Sequence, residues 1–352
     1  MTPINFVSNI NAILSEEDAT AVIKSFQALY HSFQLKNSFI SRDIANKLIS
    51  FYSSLISRLS SDQNRWDLVC DVIDELGAKL QVSLIYELEI TGITKRVISV
   101  IKDEIALMNN SNSSTTKIPL LDQLVLVNDV ETCKCGCVKL PVLEALSNML
   151  EELQDFSDTN FNTFAEKLVS SQNEVILTIG DSSVLRFLLT TALKGRRNAE
   201  LFICENAPRC DSHDLANYLK SEKIRSQLIS DSSAASIMRR VTKVVIESHC
   251  VLKNGGIIAH TGQKNICQLA KYMNIPVFVL GEFYKLVPLY PHNVTEFTAL
   301  GSPQMIIGHE NLDINAKYHM LEYIDPNQFS LIVTNEGSYT GEYISYLITN
   351  SL

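Results

Sequence analysis

The spacing of hydrophobic residues changes along the chain, from a helical period to short runs that are nearly continuous. In residues 21–33 the apolar side chains recur every three or four positions, and the same spacing holds in residues 90–108. Such a period places one apolar stripe on each helix. The stripes are Val22, Phe26, Leu29 and Phe33 in the first segment, and Ile90, Ile93, Val97, Ile101, Ile105 and Met108 in the second. We therefore predict a helical N-terminal half.

Local signals mark the ends of these helices. Ser15 is followed three residues later by Asp18, a spacing typical of a helix start. The polar run NNSNSSTTK, residues 109–117, indicates a loop. Pro141 stands at a suitable first position for a further helix, because its fixed φ suits that position. We expect this last helix to reach about residue 170 and to form the domain boundary.

Beyond residue 170, short β-rich runs alternate with helical stretches. Apolar runs of this length, separated by roughly 10–20 residues, imply parallel strands joined by crossover helices. The expected fold class is therefore α/β: a helical domain over residues 1–170, then a doubly wound, mostly parallel, Rossmann-like sheet domain over residues 171–352. The six predicted strands are EVILTIG, ELFICENA, SQLISD, KVVIESH, PVFVLGE and SLIVTNEG.

The ends of these strands are where an α/β protein would hold a ligand. The sequence contains neither G-x-G-x-x-G nor G-x-x-x-x-G-K-[ST], so a dinucleotide or P-loop site is not expected. Adjacent His249 and Cys250 point to opposite sides of an extended backbone, and so do not make a nucleophile–base dyad. His213 is expected to be structural or interfacial. The strand-end residues expected to cap helices are Asp181 or Ser182, and Asp231 or Ser232.

Charge and composition limit the classes of partner. The 352 residues carry a net charge of −9, which argues against direct nucleic-acid binding. The first twenty residues lack the basic and apolar regions of a signal peptide, so the expected compartment is the cytosol. No apolar run is long enough for a membrane span, so no membrane partner is expected.

The eight cysteines are expected to be reduced thiols in that compartment. Cys133, Cys135 and Cys137 form their only cluster, and its spacing differs from the C-x2-C of common zinc sites. We therefore expect this cluster to be a reduced surface loop without a metal.

Four motifs in the second half resemble, in order, the regulatory subunits of eukaryotic translation initiation factor 2B. Within that family, the first and third motifs are most similar to the beta type. The resemblance covers most of residues 174–340, and little of it extends into the helical half. The motifs are CENAPRCDSHDLA, SDSSAASIMRRVTKVVIESHCVLKNGGIIAHTGQ, LAKYMNIPVFVLGEFYKLVPLYP and LEYIDPNQFSLIVTNEG.

The resemblance implies a subunit without catalysis or cofactor. Factor 2B exchanges GDP for GTP on initiation factor 2, and the exchange activity belongs to its epsilon subunit. The alpha, beta and delta subunits form a regulatory subcomplex that senses phosphorylation of the alpha subunit of initiation factor 2. A beta-type chain would pair with delta in a decamer that also holds alpha, gamma and epsilon.

The family is also related to sugar-phosphate isomerases such as methylthioribose-1-phosphate isomerase. The resemblance implies that the catalytic Asp of those enzymes falls on His249 and their catalytic Cys on Gly180. An Asn-Lys pair of the enzymes falls on Ala259 and His260. Aldose–ketose isomerisation needs an acid and a base held across the sugar, and glycine offers neither. These positions therefore predict a degenerate site with no catalytic or ligand-binding residue and no metal.

Two other functions remain open at this point: a sugar-phosphate isomerase with rearranged catalytic groups, and a free-standing Rossmann-like metabolite-binding protein. The segment FYKLVPLYP, residues 283–291, bears on assembly, because it is apolar but contains prolines that prevent regular structure. It could be buried in the core of the chain or lie against a related subunit. The candidate interface residues are His213, Phe283, Tyr284, Leu286, Leu289 and Tyr290.

Overall fold

The chain forms two compact units, the first comprising residues 1–154 and 350–352 and the second residues 155–349. The computed structural model describes residues 13–35, 41–59, 65–83, 87–111, 138–156, 159–170, 173–195, 199–291, 299–307 and 315–351. Cys133, Cys135 and Cys137 lie outside the described residues, as do residues 112–117 of the polar run. Among the described residues, no helix combines the length and hydropathy needed to cross a bilayer.

The first unit is helical, as the sequence predicts. Its described helices are α1 (Glu16–Leu35), α2 (Ser41–Ser57), α3 (Trp66–Ser83), α4 (Glu89–Ser111) and α5 (Lys139–Glu152). The predicted stripe residues on α1 and α4 are buried, except that Leu29 and Met108 are half-buried. The Ser15 hydroxyl accepts from the Asp18 N–H at 3.2 Å and donates to its carboxylate at 2.7 Å, so Ser15 caps α1.

The predicted helix over residues 141–170 is instead two helices. Pro141 is the third residue of α5, which ends at Glu152, and α6 (Asn160–Leu168) begins after Thr159. At the break, the Thr159 hydroxyl donates to the Phe156 carbonyl at 2.7 Å, a side-chain hydrogen bond that competes with the helical backbone. The α6 helix belongs to the second unit, where Phe161, Ala165 and Leu168 join its core.

A seven-stranded sheet organises the second unit. The six predicted strands are confirmed as β1 (Val175–Ile179), β2 (Glu200–Cys204), β3 (Gln227–Ile229), β4 (Lys243–Glu247), β7 (Val277–Leu280) and β12 (Leu331–Val333). They are parallel to their neighbours, and β13 (Ser338–Tyr339) adds an antiparallel edge to β12. The strand order is β13-β12-β7-β4-β1-β2-β3.

Helices cover this sheet and bury its central strands. The described helices of the sheet region are α7 (Ser183–Leu193), α8 (Ser212–Ser221), α9 (Ala234–Ile237), α10 (Gln263–Tyr272) and α11 (Gly341–Ser351). Every residue of β1 is buried, and Val244, Val245 and Ile246 of β4 have no exposed surface. Burial on both faces explains the continuous apolar runs of these strands.

Smaller sheets, which the sequence analysis missed, complete the unit. One has the order β11-β6-β5-β8 and is built from β5 (Cys250–Leu252), β6 (Ile257–His260), β8 (Leu286–Val287) and β11 (Leu321–Ile324). The other pairs β9 (Leu300–Gly301) with β10 (Tyr318–His319).

Candidate functional site: a degenerate switch point

The strand order reverses between β1 and β4, so the carboxyl ends of these two strands flank the topological switch point. Such a crevice is the usual ligand site of a doubly wound sheet. Leu177 pairs with Val244 and Thr178 with Val245, which sets Gly180 and His249 beyond neighbouring strand ends. The fold therefore brings to one edge of the sheet the two positions that the isomerase resemblance singled out.

Gly180 contributes backbone but no side chain to this edge. Its φ is +89°, in the left-handed region, and its N–H donates to the Ser212 hydroxyl at 2.8 Å. A Cβ placed here would lie 3.8 Å from Gln263 Nε2, so space is not what excludes a side chain. The backbone conformation is the obstacle, because L-residues rarely adopt it.

His249 lies next to His260, which in turn contacts Arg209. The ring centroids of His249 and His260 are 5.8 Å apart. Arg209 Nη1 lies 2.8 Å from Nδ1 and 2.9 Å from Nε2 of His260, and its guanidinium pairs with Asp211 at 3.1 Å. Burial, then the Arg209 charge and His249, hold the pKa of His260 well below its usual value. His260 is therefore neutral at physiological pH.

An internal carboxylate holds the N-terminus of α10, which follows the predicted site position His260. Ala259 is buried opposite Glu322 in the pairing of β6 with β11. The Glu322 carboxylate accepts from the Lys264 N–H at 2.7 Å. Burial raises the pKa of Glu322, while hydrogen bonds from backbone N–H groups of residues 262–264 oppose that rise. The N-terminus of a helix commonly binds anions, and in this protein the Glu322 carboxylate already occupies that position.

The other strand ends hold structural contacts. Ser182 caps α7 by accepting from the Leu185 N–H at 3.1 Å, as predicted, while Asp181 pairs with Arg186. The prediction that Asp231 or Ser232 caps a helix is wrong. Asp231 instead accepts from the backbone N–H groups of residues 206 and 207, at 3.0 and 2.8 Å. This contact joins the ends of β2 and β3. Local sequence signals do not predict it, because the partners are about 25 positions apart in the chain.

The thiol at the end of β2 is not poised for nucleophilic chemistry. Cys204, the last residue of β2, is fully buried. Burial, with a smaller contribution from Asp231 and Glu205, raises the pKa of this thiol to about 12. It is therefore protonated at neutral pH, whereas a nucleophile must be a thiolate.

The segment 283–290 is largely buried within the second unit. Phe283, Tyr284 and Leu286 are at most 7% exposed, because a 3₁₀ turn leads inward and β8 pairs with β5. Leu289 is half-buried and Tyr290 is 57% exposed. Tyr290 is therefore the residue of this segment that offers most surface to a partner. His213 is also exposed, in the first turn of α8.

A buried ion cluster includes residues of this segment, and no periodic pattern in the sequence indicates it. Lys285 is 1% exposed, and its ammonium lies 2.6 Å from the Glu247 carboxylate and 3.2 Å from that of Glu282. The Tyr284 hydroxyl donates to Glu282 at 2.8 Å. Ion pairing with two carboxylates allows a lysine to lie in the core. The cluster ties β4 to the chain after β7.

Comparison with known proteins identifies the family. A model described as the initiation factor 2 subunit family matches residues 74–341, more than half of the chain. The chain belongs to the initiation factor 2 subunit family. The match spans the boundary between the two units and contains every strand of the seven-stranded sheet.

The curated relatives support the resemblance to beta-type subunits. Translation initiation factor eIF2B subunit beta of Dictyostelium discoideum is 30% identical over 215 residues, which cover 60% of this chain and 55% of that protein. The beta subunit of Schizosaccharomyces pombe is 27% identical over 355 residues, covering 86% of this chain and 90% of that protein. The chain is therefore similar to the second relative over nearly its whole length.

Solved structures show the same fold. The crystal structure of eIF2B beta from Chaetomium thermophilum superposes with a TM-score of 0.67 at 17% identity, covering 97% of this chain and 94% of that one. A chain of the tetrameric eIF2B-beta2-delta2 complex from C. thermophilum superposes with a TM-score of 0.65 at 17% identity, over 94% and 95% of the two chains. The predicted fold, a helical region followed by a mostly parallel α/β sheet, is confirmed.

Proposed function

We propose that this chain is a non-catalytic, beta-type regulatory subunit of translation initiation factor 2B. The observation that carries the proposal is its similarity to a beta subunit over 90% of that protein's length. Within the complex it would assemble with alpha, delta, gamma and epsilon subunits. The complex would exchange guanine nucleotide on initiation factor 2, and this chain would contribute surfaces to the regulatory part.

Pairing with a delta-type subunit is the first contact that the proposal requires. A structural neighbour is named as a beta2-delta2 tetramer, which makes a delta-type chain the first partner to seek. Sensing of the phosphorylated alpha subunit of initiation factor 2 would be shared with that partner. The acidic balance of the chain, −9, fits protein partners better than nucleic acid.

The geometry of the switch point supports a role without catalysis. Gly180 brings no side chain, and His260 is neutral beside Arg209. The N-terminus of α10 is already bound by Glu322. An incoming sugar phosphate would have to displace this carboxylate, so the edge is unfavourable for the isomerase substrate.

Co-purification of the native chain tests the subunit role directly. We expect affinity capture from its own cells, followed by mass spectrometry, to recover delta-, gamma- and epsilon-type subunits in stoichiometric amounts. A chain that is recovered alone and monodisperse would contradict the proposal.

We expect the purified chain to lack sugar-phosphate isomerase activity. An acid and a base must act on the sugar together, and Gly180 cannot serve as either. The measurement is product formation from methylthioribose-1-phosphate and from ribose-1,5-bisphosphate. Turnover that disappears in His249→Ala, but persists in the exposed-site control His213→Ala, would establish the isomerase alternative instead.

We expect Tyr290→Asp to weaken association with a delta-type partner by more than about 2 kcal/mol, because exposed aromatic side chains dominate many interfaces. The side chain is 57% exposed, so the fold should tolerate the change. Sedimentation of the mixed chains measures the complex, and Tyr272→Asp, at an 81% exposed tyrosine, is the matched control. Complex formation equal to the control's would remove Tyr290 from the interface.

A further inference from the structure

Three tyrosines form a continuous row on the edge strand β13 and the C-terminal helix α11. The rings of Tyr339 and Tyr343 are stacked, with centroids 5.2 Å apart and an interplanar angle of 23°. The Tyr346 ring follows at 6.1 Å from that of Tyr343. Tyr343 and Tyr346 are 48% and 58% exposed, and Tyr339 is half-buried. We call these three residues the tyrosine row.

The row occupies the side of α11 that faces solvent. Ile344 and Ile348 on the other side of the helix are at most 1% exposed and anchor it to the core. The outer side of such a helix ordinarily carries charged residues. Here it carries two large aromatic rings three positions apart, which continue onto a third ring from β13. Adjoining exposed aromatics of this kind are typical of binding surfaces.

The chain segment that carries the row is acidic. From Tyr318 to Leu352 the sequence contains no Lys or Arg. Glu336 and Glu342 are exposed at the two sides of Tyr339 along the chain. Burial, followed by the charges of Glu336 and Tyr343, raises the pKa of Tyr339.

Aromatic faces and carboxylates together select one kind of side chain. The face of a tyrosine ring attracts cations. A guanidinium is planar, so it can stack on such a face while its edge pairs with a carboxylate, and it is more weakly hydrated than an ammonium. An arginine therefore suits the row better than a lysine does.

We propose that the tyrosine row is a docking surface for an arginine-bearing segment of a partner protein. The preference for arginine follows from the tyrosine row and the carboxylates near it in sequence. Only the expectation that the segment belongs to another subunit rests on the proposed function. A second copy of this chain is a poorer occupant. A two-fold contact between two rows would bring the acidic surroundings of each row together, and like charges repel.

A peptide-binding measurement on the full-length chain tests the proposal. The probes are a fluorescein-labelled arginine-rich peptide and a matched peptide with every arginine replaced by lysine. We expect the chain to bind the arginine peptide about fivefold more tightly than the lysine peptide, because the guanidinium groups can stack on two exposed rings. The double variant Tyr343→Ser/Tyr346→Ser should lose about fivefold in affinity for the arginine peptide, and Tyr346→Ser alone a smaller part.

The control variant is Tyr272→Ser, which removes an 81% exposed tyrosine from the end of α10. None of these substitutions changes the net charge, so the general attraction of the acidic chain for cationic peptides stays constant. Circular dichroism checks that each variant is folded, and the single variant Tyr346→Ser serves if the double variant is not.

The outcomes separate the proposal from its alternatives. Equal affinity of the double variant and Tyr272→Ser for the arginine peptide would overturn it, and so would equal affinity of the chain for the two peptides. Self-association of the chain that is lost in the double variant, without peptide binding, would assign the row to a second copy. These results do not depend on the co-purification experiment, so the docking surface and the subunit role can fail separately.

Discussion

Val245→Asp is expected to destabilise the second unit by about 4 kcal/mol or more, enough to prevent folding of many domains. Val245 is fully buried in β4, between β1 and β7, in the middle of the seven-stranded sheet. A carboxylate there would lose its hydration in a cluster of buried hydrophobic side chains. The measurement is urea unfolding followed by far-ultraviolet circular dichroism.

A matched control exists in the same sheet. Leu228 lies on the edge strand β3 and is 40% exposed, so Leu228→Asp leaves its carboxylate in contact with water. We expect this change to cost about 1 kcal/mol or less. If the two variants unfold at the same urea concentration, the position of β4 in the centre of the sheet is wrong.

Lys285→Met is expected to cost about 3–5 kcal/mol, because it removes the cation from a buried ion cluster while keeping most of the side-chain volume. The Lys285 and Glu282 side chains are 2% and 7% exposed, and Glu247 is 20% exposed. Without the ammonium, the carboxylates of Glu247 and Glu282 lose the cation that pairs with both of them. Urea unfolding at neutral pH measures the loss.

Two further variants show that charge, rather than packing, causes this loss. The double variant Lys285→Met/Glu282→Gln should recover about 1 kcal/mol or more, because it removes one of the stranded charges while Tyr284 can still donate to the amide oxygen. Arg240→Met breaks the exposed pair with Glu200, whose side chains are 59% and 45% exposed, and should cost less than about 1 kcal/mol. A double variant less stable than Lys285→Met would contradict the electrostatic explanation.

The sequence by itself determined the secondary structure that depends on local pattern. The stripes of α1 and α4 and the six parallel strands follow from periodicity and from runs of β-branched residues, which act over a few neighbouring positions. Ser15 and Ser182 cap helices because an N-cap needs only its own first turn. The family resemblance could be predicted from the four ordered motifs, because matching them requires only the identity and order of residues along the chain.

Only the tertiary structure decided which distant residues share an environment. The order of strands places Gly180 and His249 at the same edge of the sheet, and the fold brings Arg209 to His260 from 51 positions away. Packing also decided that Phe283, Tyr284 and Leu286 are buried while Tyr290 is exposed, although all belong to one apolar segment.

The same limit applies to the features that the sequence analysis missed. Glu322 binds the N-terminus of α10, Lys285 reaches Glu247, and Tyr339 stacks on Tyr343 from a different element. Each contact depends on the relative position of separate elements and on how far packing excludes water from the contacting groups. Local spacing contains neither quantity, because burial and electrostatic strength arise only when separate parts of the chain come together.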